Sequence, residues 1–194
     1  MILEGLVTTI DAAGQVNVAP MGPEVTEAMD RLVLKPFRTS RTYANLAAHG
    51  EGVFHVTDDV ELLAHAAVED VFPALRPARN VRGFVIESAC SAYEFRVTKV
   101  DDTSERARLE SEVVGVERMR DFLGFCRARF AVLEAAILAT RVGILPAEEI
   151  TSRLPALAIL VEKTGGPAEH RAFRFLDSFI EEALRTRTDR SVRG

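Results

Sequence analysis

The segment Lys35-Pro36-Phe37-Arg38-Thr39-Ser40-Arg41-Thr42-Tyr43-Ala44-Asn45 sets two arginines and three aliphatic hydroxyls where an apolar run, Leu32–Phe37, gives way to the helix-favouring Ala44, Leu46, Ala47 and Ala48. Positive charge, hydroxyl donors and a helix N-terminus can then face one anion, and a phosphate suits all three. The same residues also make an ordinary helix start, with Ser40 or Thr39 as cap and the arginines in solvent. A second segment, Asn17-Val18-Ala19-Pro20-Met21-Gly22-Pro23, begins as a strand, but Pro20 lacks an N–H and Gly22 and Pro23 work against further pairing. A strand that stops pairing leaves backbone donors and acceptors for another partner, such as the alternating edge of a flat heterocycle. An edge strand running into a loop is the other reading.

Other reactive residue types form no comparable group. His49, His55, His65 and His170 have no HxxxH or HExxH spacing, so no metal site is expected. His55 alternates with Phe54 and Val56, which places it on the opposite face of a strand, in a structural role ahead of a flavin-side or substrate-side one. Ser88, Cys90 and Ser91 lack a GxSxG elbow, and hydrolysis has no support. Glu134 and Arg141 are placed to make a buried salt bridge on one helix face, with a polar substrate pocket as the alternative.

The elements that must carry these residues change character near the middle of the chain. Up to about residue 116, short runs rich in Val, Thr, Ile and Phe are separated by turn signals. Leu3–Ile10 and Val16–Pro20 flank Asp11-Ala12-Ala13-Gly14 as a hairpin, while Leu32–Phe37, a short helix and Gly52–Thr57 follow. Arg82–Ser88 is another strand. Tyr93, Phe95 and Val97, then Ala107, Leu109, Ser111 and Val113, alternate with polar residues around the turn Asp101-Asp102-Thr103-Ser104. From Glu117 the spacing of Met119, Phe122, Cys126, Phe130, Leu133 and Ile137 predicts an amphipathic helix. Pro146 starts another, Pro155 divides it, and Gly165-Gly166-Pro167 opens a last helix with an apolar stripe from Ala172 to Ala183. The expectation is an α+β chain, mainly β: an antiparallel barrel over 1–116, a helical part over 117–188 packed on it, and a frayed tail at 189–194.

Composition supports one soluble core. The 194 residues are 47% hydrophobic and 27% charged, with a net charge of −5 that argues against a general nucleic-acid binder. Cys90 and Cys126 are too few for a disulfide scaffold, so two free thiols and a cytoplasmic location are expected. Met1-Ile2-Leu3-Glu4 carries an acid where a signal peptide has its basic region, and no apolar stretch approaches the roughly 18 residues of a membrane span.

Taken together, Asn17-Val18-Ala19-Pro20-Met21 and Arg38-Thr39-Ser40-Arg41-Thr42-Tyr43-Ala44-Asn45 resemble, in order and spacing, the FMN-binding split barrels of the flavin-reductase-like superfamily. Gly52-Val53-Phe54-His55-Val56-Thr57 looks like the strand that runs past the flavin in that group. The opening Ile2–Thr9, with Arg127-Ala128-Arg129 and Glu134–Arg141, is similar to a small uncharacterised archaeal and bacterial family within it, whose members add a helical C-terminal part. Cys126 departs from that pattern, which has Asn there. The resemblance implies FMN as cofactor, with its phosphate on Arg38, Thr39, Ser40 and Thr42. It also implies Asn45 holding the loop or the ribityl chain, and the backbone of Asn17, Val18, Ala19, Pro20 and Met21 beside the ring. It implies a homodimer with FMN near the interface and an oxidoreductase role with an unidentified electron donor and small-molecule substrate. A non-catalytic FMN carrier or sensor, and a flavin-free interaction protein, stay open as alternatives. No catalytic residue is assigned.

Overall fold

Asp11 shapes the first turn by accepting the N–H groups of Ala13 and Gln15 at 2.9 and 2.8 Å, and Gly14 closes it at a φ of 82°, which a side chain would resist. The turn joins β1 (Gly5–Ile10) to β2 (Val16–Met21), antiparallel and in register from Gly5 opposite Met21 to Ile10 opposite Val16. The expected break in pairing inside β2 does not occur: Pro20 lies opposite Leu6 and the ladder continues to Met21. Pro20 is tolerated because β2 is the last strand on its side of the sheet and pairs along one edge only.

The computed structural model describes residues 1–192, with side chains to Arg187. Its other strands are β3 (Glu24–Val25), β4 (Arg31–Leu34), β5 (Glu51–Val56), β6 (Leu75–Pro77), β7 (Phe84–Ile86), β8 (Ser91–Asp101) and β9 (Arg108–Arg118). Seven of them form one antiparallel sheet in the order β2-β1-β5-β8-β9-β4-β3, and β6 pairs with β7 apart from it. This is a split-barrel fold. Its helices are α1 (Arg41–His49), α2 (Val60–Val68), α3 (Arg127–Ala139), α4 (Ala147–Thr151), α5 (Leu154–Thr164) and α6 (Pro167–Val192). Of the tail expected to fray, the side chains of 189–192 and all of 193–194 lie outside the described residues.

Contacts group the chain into two compact units, Met1–Asp58 with Asp70–Phe122, and Asp59–Glu69 with the chain from Leu123 onward. In the first unit, alternation along β5 sends Phe54 into one core with Val7, Leu32, Leu34, Phe95 and Leu109. Val53 goes to a second core with Val85 and Ala92. All six residues of β1 are therefore buried, although Thr8 and Thr9 are polar. Gly52 is required sterically: a Cβ there would stand 2.7 Å from the Phe95 ring and 3.1 Å from the Thr8 carbonyl.

The second unit corrects the helix expected from Glu117. Strand β9 continues to Arg118, Gly124 takes a φ of 83°, and α3 starts only at Arg127. The buried face of α3 is Ala128, Ala131, Val132, Ala135, Ala136, Leu138 and Ala139, five of them alanines, whereas Phe130 is 44% exposed. Spacing of the large side chains pointed to the wrong face because α3 packs on α2, α5 and α6 through alanines, which allow close approach of backbones. Pro155 does divide the next helix, lying in the first turn of α5. The α6 stripe is as expected, with Ala172, Leu176 and Ile180 fully buried at steps of four.

Candidate functional site

Ser40 caps α1: its Oγ accepts the Tyr43 N–H at 3.1 Å and its hydroxyl donates to the Phe37 carbonyl at 2.7 Å. The ordinary capping role is therefore real. It leaves the Arg41 and Thr42 N–H groups of the first turn without an intrahelical acceptor, and no acid occupies that turn. Arg38 and Thr39 are exposed just before the cap, while Arg41 is already bound to Asp70 in an ion pair. An exposed cation beside the Tyr43 hydroxyl, an exposed aliphatic hydroxyl and a helix N-terminus thus adjoin along the chain, and together they can hold an anion.

The buried face of α1 is Thr42, Asn45 and Leu46, two of them polar. Asn17 Nδ2 on β2 donates to Thr42 Oγ1 at 3.1 Å, and Asn45 Nδ2 donates to Thr9 Oγ1 on β1 at 3.0 Å. Thr9, Asn17, Thr42 and Asn45 are each at most 8% exposed. The first bond locks the edge strand β2 to the start of α1, and the second ties the middle of α1 to its neighbour β1. The structure therefore brings together the two segments that the sequence singled out separately. It gives the Asn17 and Asn45 side chains a positioning job; Val18, Ala19, Pro20 and Met21 lie along the outermost strand. Thr9 was missed by sequence reasoning; the signal was a polar residue at a fully buried strand position.

The β8–β9 connection was read only as a turn, yet it reaches this site. Arg38 N–H donates to the Glu105 carbonyl at 3.1 Å, Ala107 N–H to the Pro36 carbonyl at 3.0 Å, and the Arg106 guanidinium lies 3.8 Å from the centre of the Phe37 ring. The Tyr43 hydroxyl donates to Asp102 Oδ2 at 2.8 Å, which pushes the phenol above its usual pKa, while the neighbouring Arg38 opposes the shift.

His55 is fully buried and structural. Its Nδ1 bonds to the Leu6 carbonyl at 3.2 Å and its Nε2 accepts the Ile86 N–H at 3.0 Å, so the ring is neutral, with the proton on Nδ1. Burial, the largest cause, holds its pKa down to about 4. Cys90 is buried with its thiol 3.6 Å from Asp58 Oδ1, and burial pushes the thiol up, away from reactivity. Asp58 also takes Arg120 Nη2 at 2.5 Å, which ties the end of β5 to the end of β9. Both cysteines are free thiols. Cys126 precedes α3 without capping it; the Thr164 hydroxyl accepts the Ala128 N–H at 3.1 Å instead. Glu134 and Arg141 are both exposed, so the buried pair expected of them does not form. No group of acids, histidines and cysteines suited to a metal occurs among the described residues.

A cavity of about 670 Å³ beside β3, β4 and β9 contains none of the predicted residues. Its charged side chains of both signs, Glu24, Arg31, Arg108, Glu110 and Glu112, include neighbours that already pair, Arg108 with Glu24 and Glu110.

Residues 3–120 match the N-terminal domain of a protein family of unknown function, DUF447, and residues 126–178 match the remainder of that family. The chain belongs to the DUF447 family. An FMN-bound DUF447 protein from Methanosarcina mazei is similar over 94% of this chain and 95% of its own, at 22% identity and a TM-score of 0.80. Two further likenesses cover part of the chain. A 2-nitrobenzoate 2-nitroreductase of Pseudomonas fluorescens matches 59% of this chain and 64% of its own, at 19% identity and a TM-score of 0.52. A flavoredoxin from Methanosarcina acetivorans matches 63% and 72%, at 12% identity and a TM-score of 0.55. The DUF447 chain thus shares its fold over nearly its full length with the first and over about three fifths of its length with the other two. No helix among its described residues is long and apolar enough to cross a membrane.

Proposed function

We propose that this protein binds FMN, with the phosphate at Arg38, Thr39 and the first turn of α1 and the ring along β2. The observation that carries the reading is the pair of buried bonds, Asn17 to Thr42 and Asn45 to Thr9, which fixes a phosphate-competent helix start beside a strand with a free edge. The donor set suits FMN: a cation, a hydroxyl and two first-turn N–H groups for the phosphate, and alternating backbone donors and acceptors for a flat heterocycle. The FMN-bound DUF447 relative supports the same ligand. Ser40 serves the site by holding Tyr43 N–H and the turn; Thr42 does so through Asn17. Bound flavin would supply one- and two-electron chemistry, which no side chain here provides. The chain's own part is to bind, orient and desolvate the flavin, and the role proposed is an oxidoreductase.

The test is the absorption spectrum of the purified protein with FMN titration. Yellow protein with a saturable FMN site is expected, and Arg38→Ala should weaken FMN about ten- to a hundredfold, since a hydrogen bond to a charged group contributes roughly 1.5–3 kcal/mol. Undiminished affinity in that variant removes the phosphate assignment. Anaerobic mixing with NADH, NADPH or a reduced deazaflavin then separates an oxidoreductase from a carrier, because only the former is bleached on a catalytic time scale. The same reading makes the protein a cytoplasmic homodimer. Support for pairing comes from Leu123 and Phe125, two near-neighbouring apolar side chains that are 73% and 96% exposed.

A further inference from the structure

We propose that Asp102 is a built-in anionic competitor for the phosphate end of this site, seated on the Tyr43 hydroxyl until a phosphate displaces it. The inference rests on the flavin reading above. Tyr43 belongs to the first turn of α1, its N–H held by the Ser40 cap, and its hydroxyl donates to Asp102 Oδ2 at 2.8 Å. The Arg38 guanidinium lies close enough to act on the same hydroxyl. A carboxylate of the chain itself thus stands beside the cation and the helix start assigned to the ligand.

The carboxylate stays near the site even when displaced from Tyr43, because the backbone of the hairpin tip is tied to Lys35–Arg38 by bonds that do not involve it. Arg38 N–H to Glu105, Ala107 N–H to Pro36 and Arg106 Nη1 to the Lys35 carbonyl at 3.1 Å all hold the tip, with Arg106 stacked over Phe37. Asp101 is occupied within the tip, accepting the Thr103 N–H and hydroxyl at 3.1 and 2.7 Å. Within the tip, Asp102 is the aspartate that reaches α1, through the Tyr43 hydroxyl, while Asp70 pairs with Arg41 from another part of the chain. A phosphate monoester near neutral pH carries about −1.5 to −2 charges, so a carboxylate fixed beside its donors repels it and competes for them. The apparent affinity for FMN is then lowered by the fraction of molecules in which Asp102 holds the site.

Asp102→Asn keeps the size of the side chain and an acceptor oxygen but removes the charge, and the residue is exposed, so the fold is not at stake. Fluorescence titration at low ionic strength should show FMN binding tightened roughly fivefold in this variant, with the gain shrinking as salt is added. Riboflavin, which has no phosphate, should bind wild type and variant equally. In a Tyr43→Phe background the same substitution should gain less, because the seat of the carboxylate has gone. If wild type binds FMN in an Arg38-dependent manner while Asp102→Asn leaves the Kd unchanged or weakens it, the competitor role is overturned and the flavin reading stands. An equal gain for riboflavin also overturns it. If wild type fails to bind FMN, both fall.

Discussion

Replacing His55 with glutamine should remove most of the protein's acid sensitivity between pH 6.5 and 4.5. The buried ring gives its Nδ1 proton to Leu6 and takes the Ile86 N–H on Nε2, so an added proton has no acceptor and breaks the second bond. The folded protein therefore resists protonation until about pH 4, whereas an unfolded chain takes the proton near the ordinary value of 6.5. Protons favour the unfolded chain throughout that interval: stability is full above pH 6.5 and falls as the pH drops toward 4. Integration of the linkage relation gives a loss of about 2 kcal/mol between pH 6.5 and 4.5, and about 3 kcal/mol once both values are passed. Carboxylates held low by their partners, such as Glu61 hydrogen-bonded to Arg171, begin to add losses within about a unit of 4.5 and lose most of their contribution below it, so the interval from pH 6.5 to 5.5 belongs to His55. Urea titrations at pH 6.5, 5.5 and 4.5 measure the slope. His55→Gln should be less stable at pH 7 by about 1–2 kcal/mol, because one of the two ring bonds is left unmade, and nearly flat across the window. Wild-type stability that does not change over it, or a variant as acid-sensitive as wild type, would refute the neutral buried ring.

Gly52→Ala should cost roughly 1–3 kcal/mol, read as a lower urea midpoint, because the added methyl meets the Phe95 ring and the Thr8 carbonyl. Asn45→Ala should destabilise by about 1–3 kcal/mol through loss of the buried bond to Thr9, and should also weaken FMN binding by shifting α1; an FMN affinity untouched by a clear loss of stability would count against the coupling. Cys126→Asn, which can cap the Arg129 N–H beside the Ala128 N–H already held by Thr164, should raise stability by about 0.5–1 kcal/mol in thermal melts. Phe125→Asp should shift a dimer toward monomer in sedimentation velocity, and an unchanged sedimentation coefficient would remove that surface from the interface.

The strands were legible because their information is local. Asp11-Ala12-Ala13-Gly14 closes its own turn, and the alternation of Tyr93, Phe95 and Val97 describes a face that exists. The α1 cap was legible for the same reason, since Ser40 and Tyr43 are three residues apart. What failed depended on partners far along the chain. Phe122 and Phe130 have helical spacing, but whether they share a core is decided by other helices, and α3 turned its alanines inward instead. Pro20 looked like a break because its neighbours on the sheet were unknown; on an edge strand it breaks nothing. Within the site, the types and spacing of Arg38, Ser40 and Asn17 were informative, whereas the bonds from Asn17 to Thr42 and from Tyr43 to Asp102 join residues 25 and 59 positions apart and leave no trace in a local pattern.

Helix α2 carries a consequence for how the chain must be made. It lies between two strands in sequence, yet Leu63 and Ala64 are buried and its helical contacts are with α3 and α6, which begin at Arg127 and Pro167. During synthesis α2 emerges at least about 60 residues before those partners, so its apolar face waits on a nascent chain while the strands around it assemble. A gene cut near residue 116 would strand α2 without its partners and deprive the C-terminal helices of one of theirs. A circular permutant opened at Asp70, with the original termini joined, would instead make α3 and α6 before α2 and remove that wait. The protein is best expressed, and best dissected, as one continuous chain.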